Sequence, residues 1–179
     1  MKVINLFAGP GSGKSTTCAG VFSKLKLAGI NCEMALEYAK DKVWEQSFHT
    51  LDNQIYIFGK QLHRLWRLKD QVDVVITDSP LLFSIIYDKT CNEKFGALVL
   101  DQFNQFENIN YFITRGNTYN PKGRMQTLEE SMDLDCKIAS LLESNNIPFN
   151  FVNKMDAVDI ICENLFKIIG VYALMITAG

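Results

Sequence analysis

Ala8-Gly9-Pro10-Gly11-Ser12-Gly13-Lys14-Ser15-Thr16 is the stretch that decides how the chain is read. Ahead of it, Lys2 to Phe7 is a short apolar run suited to a buried parallel strand, and behind it Thr17 to Ala28 carries a helical pattern. A strand, a glycine-rich turn and a helix in that order form the setting of a phosphate-binding loop. Its glycines let backbone N–H groups turn inward around phosphate oxygens, and the helix start adds unpaired donors and a partial positive charge. Lys14 is placed to reach the β- and γ-phosphates and Ser15 to ligate Mg²⁺, with Gly9 through Thr16 as the nucleotide-binding set. The pattern is GxxxxGK[ST] except that Ala8 stands where the first glycine belongs. Alanine is small enough for that position.

Working outward, 179 residues suffice for one α/β domain with a full core. A hydrophobic fraction of 47% with 21% charged residues is that of a globular protein. The net charge of −2 does not advertise a polyanion partner, so DNA is not indicated at whole-chain level. The five cysteines form no C-x-x-C pair and neither histidine lies near one, which argues for reduced, cytoplasmic usage without zinc. The first strand begins almost at Met1, so no signal peptide is expected, and no apolar run reaches the ~20 residues of a membrane span.

Gly29 closes the first helix, and Asn31 to Leu36 reads as a second strand. Glu37 and Tyr38 follow at its carboxyl end, where ligands sit in open α/β sheets. Leu51 to Leu68 reads as one long helix with Leu51, Ile55, Phe58, Leu62, Leu65 and Trp66 on one face. Gln54 and Gln61 fall within or at the edge of that stripe, so each amide is expected in an internal bond, against a polar ligand, or leaning out to water. Val72 to Thr77 makes a third strand ending in Asp78-Ser79-Pro80, an acid where a second Mg²⁺-holding group is expected. Helix capping is the other reading of Asp78. Phe95, Leu98, Val99, Phe103 and Phe106 stripe a further helix.

Asn110 to Thr114 is the fourth strand, and the turn-rich stretch after it carries Arg115, Lys122 and Arg124 without an acid. That composition suits a basic lid over about 115–126, since guanidinium forks match phosphate oxygens. Thr127 to Glu130 spells a capping box opening a helix striped by Leu134, Ile138, Leu141 and Leu142. Pro148 to Val152 is the fifth strand, Lys154 to Ile168 the last helix, and 171–179 an apolar tail beyond a domain of residues 1–170. These elements predict a three-layer α/β/α P-loop domain on a five-stranded, mostly parallel sheet.

Asn153-Lys154-Met155-Asp156 spells the N-K-x-D guanine motif of small GTPases. The companion D-x-x-G is absent, since Asp78 is followed by Ser79-Pro80-Leu81, and few residues remain to complete that fold. Asn153 as a helix cap with Asp156 in the first turn is the simpler reading, with Lys154 as a shelf for the base of ATP.

The phosphate loop, Glu37, Asp78-Ser79-Pro80, and Arg115 with Tyr119, Gly123 and Arg124 together resemble small P-loop kinases over roughly residues 1 to 168. The resemblance is to ribosylnicotinamide and deoxynucleoside kinases, and especially to short stand-alone phage P-loop proteins. Some of those are similar to enzymes that phosphorylate 5-hydroxymethyluracil in DNA. It implies transfer of the γ-phosphoryl of ATP, with Mg²⁺, to a hydroxyl of a nucleoside, nucleotide or modified DNA base. In that scheme Lys14, Arg115 and Arg124 neutralise charge, Ser15 and Asp78 hold Mg²⁺, Glu37 or Asp78 takes the proton, and Tyr38, Gln54 and Gln61 meet the acceptor. An acceptor-independent ATPase or GTPase switch and a non-catalytic nucleotide-binding protein are the alternatives.

Overall fold

The structure is a computed structural model and describes residues 1–115 and 127–170. Five strands, β1 (Lys2–Phe7), β2 (Cys32–Met34), β3 (Val74–Thr77), β4 (Glu107–Thr114) and β5 (Asn150–Asn153), form one sheet in the order β2-β3-β1-β4-β5. All four pairings are parallel, so the sheet is wholly rather than mostly parallel. Seven helices connect or follow the strands among the described residues: α1 (Lys14–Leu27), α2 (Tyr38–Trp44), α3 (Gln54–Trp66), α4 (Phe83–Tyr87), α5 (Glu93–Asn104), α6 (Leu128–Ser144) and α7 (Ala157–Ile169).

Strand order dictates the layers. The β1-to-β2 crossover runs toward one edge of the sheet, and the β2-to-β3, β3-to-β4 and β4-to-β5 crossovers run toward the other. Right-handed connections therefore put α1 on one face and α3 to α6 on the opposite one. The packing agrees: α1 lies against α7, while α4 packs against α3, α5 and α6. Val3, Ile4, Leu6 and Phe7 of the central strand are fully buried between the layers. Buried Asn5 donates to Asn108 Oδ1 at 2.9 Å and Asn110 Oδ1 at 3.0 Å, so it is satisfied inside the core. The chains leaving β1 and β3 turn to opposite faces, which opens a crevice at their carboxyl ends.

Several sequence boundaries move. The first helix starts at Lys14 rather than Thr17, because the end of the glycine loop is itself the first turn. The expected helix from Leu51 to Leu68 divides into a 3-10 helix, Phe48–Asp52, and α3. Asn53 makes the break, its side chain accepting the Tyr56 N–H at 3.1 Å as a helix cap. The buried face of α3 is Ile57, Phe58, Gln61 and Leu65, whereas Ile55 and Trp66 are exposed. Helix α2 was not expected, since no residue in it is buried and it shows no apolar period. Strand β4 begins at Glu107, three residues earlier than the apolar run suggested, by pairing with β1 from Lys2 onward. Lys122 and Arg124 of the expected lid, and the 171–179 tail, lie outside the described residues.

Candidate phosphate-loop active site

Residues 8–13 turn tightly out of β1, with Gly11 at φ 86° and Gly13 at φ 101°, a region that favours glycine. Gly13 is the N-cap of α1, yet no side chain caps the helix and no acid lies in its first turn. Its N–H groups and dipole are thus left for an anion. Ser12 is fully buried, and its Oγ is without a hydrogen-bond partner among the described residues. Both features fit the phosphates of a nucleotide.

Lys14 Nζ donates to the loop carbonyls of Ala8 at 2.7 Å and Gly9 at 3.0 Å and lies 5.5 Å from the Phe83 ring centroid. Burial pushes its ammonium below the usual lysine range, while the carboxylates of Glu37, Asp78 and Asp135 pull it back up. The positive charge of Arg115 adds to the lowering.

Asp78 directly follows β3 and is buried at the crevice. Its Oδ2 accepts from Ser15 Oγ at 2.5 Å and its Oδ1 from the Glu37 N–H at 3.1 Å, so it ties loop to β2 instead of capping a helix. Mg²⁺ takes one or two protein oxygens together with waters and phosphate oxygens. The Ser15 and Asp78 pair fits that requirement, and no larger metal-binding cluster exists among the described residues. Burial pushes the Glu37 carboxyl above the ordinary carboxylate range, Lys14 draws it down, and Asp78 pushes it up again. Glu37, Asp78 and Ser15 line a cleft of about 300 Å³ together with Met34, Leu36, Lys40, Asp41 and Trp44.

The backbone that carries Glu37 is clamped from α3 and β3. Gln61 Oε1 accepts the Tyr38 N–H at 2.9 Å, and its Nε2 donates to Ala35 O at 3.4 Å. Thr77 Oγ1 donates to the same carbonyl at 2.7 Å. Arg64 donates to Leu36 O at 2.8 Å and pairs with Asp41. Gln61 is therefore in the internally bonded environment, and its effect on the site runs through the Ala35 to Tyr38 segment. Gln54 sits at the start of α3 and donates to Leu51 O at 2.6 Å. The Tyr38 hydroxyl meets that of Tyr56 at 2.9 Å.

Arg115, at the end of β4, lies against the loop. It donates from Nε to Asp135 Oδ2 at 2.6 Å, from Nη1 to Pro10 O at 2.7 Å and from Nη2 to Ser131 O at 3.0 Å. Asp135 Oδ1 also accepts the Gly9 N–H, and Ser131 Oγ donates to Pro10 O. A Cβ on Gly9 would stand 2.4 Å from Ser131 O and 2.8 Å from Arg115 Nη2, so glycine is what lets α6 approach. Neither Ser131 nor Asp135 was singled out from sequence. Their i, i+4 spacing on the capped helix was the available signal.

The Lys154 side chain lies beside the loop, its Cβ 3.7 Å from where a Gly13 Cβ would stand. Asn153 Oδ1 accepts the Met155 N–H at 3.0 Å in the turn before α7. Asp156, not Asn153, takes the N-cap position and makes no side-chain capping bond. This corrects the expected cap.

Comparison with known proteins follows the same lines. The model of the AAA_28 family, described as an AAA domain, matches residues 3–159, and the chain belongs to that family. No curated protein matches the sequence significantly. Among solved structures, NadR protein in complex with NR is similar at TM-score 0.66 and 15% identity, over 90% of this chain and 51% of that one. The chain thus spans about half the length of that NadR chain. Deoxyadenosine kinase from M. mycoides with bound dATP is similar at TM-score 0.57 and 21% identity, covering 95% of this chain and all of that one. Shikimate kinase from Acinetobacter baumannii in complex with shikimate gives 0.55 and 14%, over 96% and 93%. At these identities the likeness is one of fold, a P-loop kinase-like α/β architecture.

Proposed function

As a member of the AAA_28 family with a kinase-like fold, this chain, we propose, is an ATP-dependent phosphotransferase that moves the γ-phosphoryl of ATP to a hydroxyl of a nucleoside, nucleotide or hydroxymethylated DNA base. One observation carries the reading. Lys14, Ser15, Asp78 and Glu37 form a contiguous set at the carboxyl ends of β1, β2 and β3, with Ser15, Glu37 and Asp78 opening onto the cleft.

In this scheme the loop amides and the α1 N-terminus hold the β-phosphate, and Lys14 exchanges its loop carbonyls for γ-phosphate oxygens. Ser15 and Asp78 hold Mg²⁺, which supplies charge neutralisation when bound. Glu37, whose carboxyl burial raises above the ordinary carboxylate range while Lys14 draws it partly back, accepts the proton of the acceptor hydroxyl. The bond from γ-phosphorus to the bridging oxygen of ADP breaks as the bond to the acceptor oxygen forms. Tyr38 and Gln54 are the proposed acceptor contacts, Lys154 flanks the nucleotide side, and Arg115 places positive charge against the phosphate loop, a task Arg124 is proposed to share.

Incubation with labelled ATP and a panel of nucleosides, nucleotides, nicotinamide riboside and hydroxymethylated DNA tests the proposal. Label appearing on one acceptor class supports it. The AAA-domain description favours a second reading, an acceptor-independent ATPase, and saturating phosphate release unaffected by every acceptor establishes that instead.

A further inference from the structure

We propose that Asp135, with Ser131 one turn before it on α6, is a positioning residue for nucleotide binding. It acts through the first turn of the phosphate loop and touches no nucleotide itself. Resting on the nucleotide reading above, this assigns work to two residues that lie outside the glycine motif.

The loop is held at Gly9 and Pro10 by one compact clasp. Asp135 divides its carboxylate between the Gly9 N–H and Arg115 Nε. The Pro10 carbonyl accepts from both Arg115 Nη1 and Ser131 Oγ. Ser131 is fully buried, and the Asp135 and Arg115 side chains are largely so, at 21% and 14% exposure. The clasp is therefore shielded from water, and its charged hydrogen bonds are of the strong kind.

Two consequences follow for the donors that face an anion. First, a glycine-rich loop has little intrinsic preference for one conformation, so its ordering cost falls on whatever external groups hold it. The clasp is built wholly from the chain's own groups, so the ordering of Gly9 and Pro10 falls on internal bonds rather than on the ligand. Second, the Gly9 N–H is taken by a resident carboxylate at the entrance of the loop, which leaves the donors from Gly11 onward for phosphate. Asp135 thereby sets which part of the loop receives the anion. A side chain that acted only on overall folding would be replaceable by any group filling the space. This one is specified by charge, because it faces a guanidinium and an N–H together.

The test is titration with a non-hydrolysable ATP analogue and Mg²⁺, using the full chain, its Asp135→Asn variant and its Ser131→Ala variant, each checked for folding by thermal unfolding. For Asp135→Asn the expected result is an increase in Kd of about 10-fold or more, the size of a charge-assisted hydrogen bond. For Ser131→Ala an increase of about 3-fold is expected, one neutral hydrogen bond being lost. In transfer assays the KM for ATP rises while that for the acceptor stays fixed. Folded Asp135→Asn protein with wild-type Kd overturns the inference, as does a rise in acceptor KM alone. Should Asp135→Asn fail to fold, unchanged Kd in Ser131→Ala overturns it equally. Wild-type protein that binds no nucleotide sinks the kinase reading instead, so the two failures are distinct.

Discussion

Asp78 holds Glu37 by its backbone and Ser15 by its hydroxyl through the two oxygens of one carboxylate, at 3.1 and 2.5 Å. The end of β3 thereby sets the distance between the phosphate loop and the segment after β2. Replacing Asp78 with Asn keeps the shape but leaves one neutral oxygen for two donors. Expected outcomes are a loss of about 1–3 kcal/mol in denaturant unfolding and a transfer rate that needs more Mg²⁺ to saturate. An unchanged Mg²⁺ requirement would remove Asp78 from the metal role.

Lys14 sits in the phosphate loop, and its burial makes the charge costly to the folded state. Lys14→Met is expected to lower kcat/KM at least about 100-fold, as loss of a preorganised electrostatic group does, with the thermal midpoint unchanged or raised. Full activity in this variant would end the mechanism.

Glu37 gives a pH signature. Its folded-state pKa is raised by burial, so the rate is expected to climb with pH through a limb above the ordinary carboxylate range. Glu37→Gln should flatten that limb. The stability sign is opposite to that of a salt-bridged acid: the folded state holds the proton more tightly than the unfolded one. The contribution of Glu37 to stability is present below the ordinary range and is lost as pH rises through it toward the raised value. Glu37→Gln should remove that loss in unfolding curves taken across the same window.

Gln61→Ala strips the acceptor from the Tyr38 N–H, while Ala35 O keeps its bond from Thr77. A destabilisation of about 1–3 kcal/mol is expected from the orphaned donor, with a fall in kcat as Glu37 loses its fixed backbone. Gln61→Glu retains the acceptor oxygen and should be milder. Equal kinetics for both would show that the clamp is irrelevant to turnover.

Gly9→Ala puts a methyl group 2.4 Å from a backbone carbonyl of α6. Overpacking of this kind costs about 1–3 kcal/mol, to be read in denaturant unfolding, and nucleotide affinity should drop with it. A neutral Gly9→Ala would mean that α6 yields freely.

The glycine loop, the strand before it and the acid after β3 were legible because each depends on local sequence: glycine conformation, an apolar run, a strand terminus. Ser131, Asp135 and the clamp of Gln61 and Arg64 were not, because their partners are main-chain groups distant in sequence, and a carbonyl leaves no mark in composition. Ile55 and Trp66 were misassigned. The buried face of α3 is centred on Ile57, Phe58, Gln61 and Leu65, and Ile55 and Trp66 fall on the far edge of the apolar stripe, turned away from it.

Helix α2 contributes no buried side chain to the core, yet it forms a wall of the cleft beside Glu37. Changes along its outward surface therefore bear little on whether the molecule folds. Lys40 and Trp44 line that cleft, so substitutions there reshape it at little cost to the core.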